Sequence, residues 1–101
     1  MEIVKEIEGS KLIIRLKGEM HTPEASDFQK VFKSAVEEMQ NINDITLDMT
    51  ELDYIVSAGL RVLLEMARYM NGKGTVHTIG ANDRVTETID MTGIGQYLNM
   101  M

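Results

Sequence analysis

The stretch from Ile45 to Ile79 constrains the fold more than any other. "ITLDM" reads as a short strand over Ile45 to Met49, "SAGLRVLLEMARYM" as a helix from Ser57 to about Met70, and "TVHTIG" as another strand. A strand, a covering helix and a second strand in that order form a crossover unit, so the strands must run parallel with a right-handed connection. The helix carries Leu60, Leu63, Leu64, Ala67 and Met70 on one face, widened by Val62, Met66 and Tyr69. Such a stripe needs an apolar sheet to cover. Asn71-Gly72-Lys73-Gly74 ends the helix with residues suited to positive φ. Between strand and helix, Thr50-Glu51-Leu52-Asp53 reads as a turn leading into Tyr54-Ile55-Val56.

The flanking segments extend this unit. Ile3 to Ile7 and Leu12 to Leu16 read as strands joined by Glu8-Gly9-Ser10, with Leu12, Ile14 and Leu16 on the core side. Thr22 then Pro23 reads as a hydroxyl cap followed by a proline at a helix start. Phe28, Val31, Phe32, Ala35, Val36 and Met39 continue at helical spacing. A final helix in "NDRVTETIDMTG" turns Val85 and Ile89 inward; Gly93 and Gly95 break it, and Ile94, Tyr97 and Leu98 are expected to fold back onto the core. Met100-Met101 reads as a tail. The order is β-β-α-β-α-β-α, an α/β fold with one mixed sheet packed against amphipathic helices. At 101 residues the chain is expected to form a single domain spanning 1–101.

Composition removes several function classes. A net charge of −6 with only three Tyr and two Phe opposes phosphate backbones and offers no platform for stacking bases, so nucleic acid is not an expected partner. The chain has no cysteine, hence no disulfide, thiolate metal site or thiol nucleophile. The charged N-terminus lacks a signal-peptide core and no apolar run is long enough to span a bilayer, so a cytoplasmic protein without membrane insertion is expected. His21 and His77 stand alone rather than at metal-ligand spacing. "NGKGT" places its glycines after a helix instead of before one, which suits a helix stop and not a phosphate loop. No Gly-x-Ser-x-Gly elbow surrounds Ser57, and no cofactor or catalytic residue is expected. Of the nine methionines, several lie in the core stripes, and packing is the expected role outside the Met100-Met101 tail.

Ser57-Ala58-Gly59 is the remaining feature. Ser57 reads as an N-cap without a capping box, because Leu60 stands three residues on. Gly59 in the first helical turn costs up to about 1 kcal/mol relative to alanine, and close approach by a partner would be one reason to keep it. The position follows the carboxyl end of a parallel strand, where α/β sheets commonly bind ligands. A helix N-terminus there suits an added phosphate.

These residues resemble a known family. "ITLDMTELDYIVSAGLRVLLEM" is similar to the central signature of STAS domains, the anti-sigma-factor-antagonist family: Asp48 and Thr50 match the strand end, and Ser57, Gly59 and Leu60 match the helix start. "GEMHTPEASDFQKVF" resembles the family's Gly-x-Leu-Asp segment and first helix, and "VTETIDMTGIGQYL" its terminal element. The resemblance implies partner switching. The unphosphorylated protein binds an anti-sigma factor that is also a serine kinase, phosphorylation at Ser57 breaks the complex, and a serine phosphatase resets it. It further implies a partner-binding face of His21, Thr22, Asp48, Thr50, Val56, Ala58, Gly59, Leu60 and Arg61. Two positions depart from the pattern: Val56 replaces the acid before the serine, and His21 the acid of the Gly-x-Leu-Asp segment. Two other functions fit the fold, an adaptor in a sensory or lipid-transport ATPase complex, and a small-ligand or nucleotide carrier using His21, Thr22 and Asp48.

Overall fold

The computed structural model describes all of residues 1–101. Its elements are β1 (Glu2–Glu8), β2 (Lys11–Met20), α1 (Thr22–Glu38), β3 (Asp44–Ile55), α2 (Ser57–Met70), β4 (Thr75–Ile79), α3 (Asp83–Thr92), a 3-10 turn (Ile94–Tyr97) and β5 (Asn99–Met100). The sheet order follows the chain, β1-β2-β3-β4-β5. The β1–β2 hairpin is antiparallel, and β2, β3, β4 and β5 are parallel. The expected mixed α/β sheet is therefore present, with the expected parallel pairing across α2.

Period-2 patterning decides which sheet face is covered. Leu12, Ile14, Leu16, Ile45, Leu47, Met49, Val76 and Thr78 are buried on one face under the helices. Their alternates Ile13, Arg15, Thr46, Asp48 and His77 keep contact with solvent. α1 contributes Phe28, Phe32 and Ala35 to the same core, and α2 contributes Leu63, Met66 and Met70. Met20, Met39, Met49, Met66 and Met70 are all buried, in keeping with a packing role for most methionines.

The expected turn at Thr50–Asp53 does not form; β3 runs straight through it. Arg15 lies opposite Asp48 but Lys17 opposite Glu51, and Gly18 lies opposite Leu52 but Glu19 opposite Tyr54. Each slip inserts one extra residue in β3, which makes two β-bulges. The buried positions Ile45, Leu47, Met49, Leu52 and Ile55 change from a spacing of two to a spacing of three at the bulges. Asp48 stabilises the first one, its Oδ1 accepting from the Thr50 backbone N–H at 3.0 Å and from the Thr50 hydroxyl at 2.6 Å. The displaced amide thus keeps a partner.

The chain end also differs from expectation. Ile94 and Leu98 fold into the core at 8% and 7% exposure, but Tyr97 remains 59% exposed. The final residues are more than a tail. Asn99 and Met100 pair with His77 and Thr78, and the Met101 N–H donates to Thr78 O at 2.8 Å. This short strand satisfies part of the β4 edge. On the open face His77 holds the row together: its Nε2 lies 3.2 Å from Asp44 Oδ1, and its Nδ1 lies 2.9 Å from Asn99 Nδ2. These contacts fit the structural role that its isolation in the sequence suggested.

Candidate functional site

Because β2, β3 and β4 are parallel and each leads into a helix, the N-termini of α1, α2 and α3 gather at one edge of the sheet. Their starts differ in chemistry. Asn82 caps α3, its Oδ1 accepting from the Val85 N–H at 2.8 Å while its Nδ2 donates to Leu52 O at 3.1 Å. His21, not Thr22, is the N-cap of α1; Thr22 and Pro23 are its first two residues, and the Glu24 carboxylate accepts from the His21 N–H at 3.0 Å.

α2 has no such partner. Val56 N–H donates across the sheet to Met20 O at 3.0 Å, which holds Val56 in extended backbone as the N-cap residue. The expectation that Ser57 caps the helix is thereby corrected: Ser57 is the first helical residue, exposed, and its hydroxyl makes no hydrogen bond within the chain. The first α2 amides that find acceptors are those of Gly59 and Leu60, both on Val56 O. The N–H groups of Ser57 and Ala58 stay free to solvent or to an anion on the hydroxyl.

Ser57 sits in an open depression of about 460 Å³ together with Thr22, Tyr54, Val56, Ala58 and Thr88. A second depression shares Thr22 and Ala58 with it and reaches Arg61 and Gln29. His21 joins through Tyr54, whose ring centroid lies 5.4 Å from the imidazole. Arg84 of α3 stacks its guanidinium 5.5 Å from the same tyrosine ring. Tyr54, Arg84 and Thr88 were not singled out in the sequence. Tyr54 reads there as one of an apolar run, and the other two belong to a helix distant along the chain.

Four expected site residues do not join this surface. Gly59 and Leu60 are buried, so neither presents a side-chain surface to a partner. Gly59 has a local reason after all: a Cβ there would lie 2.6 Å from Met20 Sδ and 2.7 Å from Ile55 Cγ1, so the residue is what lets α2 sit against the ends of β2 and β3. Asp48 and Thr50 line a separate depression on the open sheet face with Val4, Arg15 and Glu51. The Thr50 hydroxyl and amide hold the Asp48 carboxyl below its ordinary range, with Arg15 adding to the effect and partial burial opposing it. His21, Thr22 and Asp48, which the small-ligand reading grouped, line different depressions.

The family described as STAS domain matches residues 2–101. The chain belongs to the STAS domain family. The anti-sigma factor antagonist SpoIIAA in its unphosphorylated form is similar in fold, with a TM-score of 0.85 at 17% identity, covering 99% of this chain and 88% of that one. An anti-sigma factor antagonist from Mycobacterium paratuberculosis also superposes with a TM-score of 0.85, at 13% identity, covering 98% of this STAS chain and 83% of the other. The Bacillus cell fate determinant SpoIIAA in the phosphorylated form gives 0.77 at 16% identity, covering 99% and 91%. No curated protein matches in sequence. In this STAS chain no helix is long and apolar enough to cross a membrane.

Proposed function

We propose that this STAS domain is a phosphorylatable anti-sigma factor antagonist, a non-catalytic binding module switched at Ser57. The observation that carries the reading is the exposed, unbonded Ser57 hydroxyl at the start of an uncapped helix. In the unphosphorylated state the surface around Thr22, Val56, Ala58 and Arg61 binds an anti-sigma factor that is also a serine kinase. The Ser57 oxygen attacks the γ-phosphorus of ATP held by that kinase, its proton passes to a base of the kinase, and ADP leaves. The product carries about −1.5 to −2 extra charges. Within the free domain the open Ser57 and Ala58 amides and the α2 dipole accommodate the phosphate. Packed into a protein interface the same dianion loses its water, so the complex dissociates. A serine phosphatase restores the binding form, and the released anti-sigma factor determines sigma-dependent transcription.

Mass spectrometry after incubation with ATP and serine kinases of the same genome tests the modification. One added phosphoryl group is expected, absent in Ser57→Ala. Paired pulldowns test the switch: a partner retained by Ser57→Ala and lost by Ser57→Asp is the expected result. Equal retention by both variants, with no kinase modifying the wild type, would sink the proposal.

A further inference from the structure

Another cavity lies at the other end of α2 from Ser57. It measures about 520 Å³, within the range that small-molecule sites occupy. A 14-residue helix separates the two regions by about 21 Å, so this cavity is no extension of the Ser57 surface. Leu64, Met70 and Val76 form its apolar part, and Arg68, Thr75 and Tyr97 stand around it.

Three features of this lining lack a structural account. Arg68 is the only charged residue lining the cavity and makes neither an ion pair nor a hydrogen bond through its side chain. Its place in the last turn complements the helix dipole, but that role leaves its five donors unused. The Thr75 hydroxyl, at the start of β4, likewise makes no hydrogen bond within the chain. Tyr97 is 59% exposed although its neighbours in the same turn, Ile94 and Leu98, are at 8% and 7%. An aromatic face, an unpaired guanidinium and an unpaired hydroxyl thus border one hollow of mixed polar and apolar lining.

We infer that this cavity binds a small amphipathic acid, a molecule with an aromatic or short aliphatic body and one anionic group. The anionic group pairs with the Arg68 guanidinium, which suits the planar geometry of a carboxylate, and accepts from the Thr75 hydroxyl. The body lies between the Tyr97 ring and the partly exposed Leu64 and Ala67 side chains, where it removes apolar surface from water. A second anion would find no second cation in the lining, so one charge is the specific requirement. Binding here is independent of phosphorylation at Ser57 and stands or falls apart from it.

Amide NMR of the ¹⁵N-labelled protein, titrated with indole-3-acetate and in parallel with neutral indole-3-acetamide, tests the inference. Saturable shifts are expected at residues 64–76 and 94–98, with the acid binding roughly tenfold more tightly than the amide. Arg68→Gln should abolish that preference, and Tyr97→Ala should weaken both ligands. Both side chains are exposed, so the variants are expected to keep the wild-type spectrum away from the cavity. Shifts that never saturate, that fall elsewhere, or an acid preference that survives in Arg68→Gln would each overturn it.

Discussion

α2 and α3 begin at the same edge of the sheet, each after a parallel strand, yet their first turns are satisfied in opposite ways. Asn82 binds the Val85 amide of α3 and reaches back to Leu52 O, so that start is locked by its own side chain. Val56 contributes no side-chain acceptor, and the α2 start is held only by backbone bonds and by the packing of Gly59 against Met20 and Ile55. One helix end spends its polar groups on the fold; the other leaves an exposed hydroxyl and open amides. A regulatory serine is best placed at the second kind of end, because adding a phosphate there breaks no internal hydrogen bond.

The largest expected effect comes from the locked end. Asn82→Ala removes the cap and the bond to Leu52 O and should lower stability by about 2 kcal/mol in urea unfolding. A loss below about 0.5 kcal/mol would mean that α3 is no better held than α2. Gly59→Ala adds a methyl group where Met20 and Ile55 already meet. The gain in helix propensity is smaller than the overpacking, leaving a net loss of about 1–2 kcal/mol. An unchanged midpoint would show that α2 is free to shift at its start.

The bulge in β3 offers the same kind of side-chain lock in a strand. Asp48→Asn keeps an acceptor but loses its charge, and should cost roughly 0.5–1 kcal/mol at neutral pH after allowing for solvent screening. The folded-state pKa of Asp48 is depressed below 3.8, so between the folded and unfolded values the unfolded chain binds more protons. The stabilisation is therefore full above the unfolded value and disappears as pH falls through the folded one. Unfolding curves of both proteins should converge in that acidic window; a gap that persists below it would assign the effect to packing.

Smaller effects are expected at α2 itself. Val56→Ser supplies the missing acceptor and should raise stability by about 0.5–1 kcal/mol, making α2 resemble α3. Ser57→Ala removes a hydroxyl that makes no internal bond, so thermal unfolding should move by less than about 0.5 kcal/mol. A larger loss would mean that the hydroxyl serves the fold after all.

Most elements were legible because they depend on local periodicity. The α2 stripe, the Leu12–Ile14–Leu16 face and the Gly93 stop need only neighbours three, four or two residues away. The STAS resemblance likewise rested on short motifs in order. Thr50–Asp53 was misread because a bulge imitates a turn: it changes the apolar spacing from two to three, and only the β2 register distinguishes the two. β5 was invisible because two residues carry no period.

The site divides along the same line. Sequence alone determined that Ser57 opens a helix after a parallel strand, because strand, helix and strand in that order permit little else. Only the tertiary structure decided what surrounds it. Gly59 and Leu60 face the core because α2 rolls onto β2 and β3, and Tyr54, Arg84 and Thr88 arrive from elements far apart in the chain. Val56 became the cap because its amide was already committed to Met20 O. Such a bond spans 36 positions of the chain, and no local pattern records it.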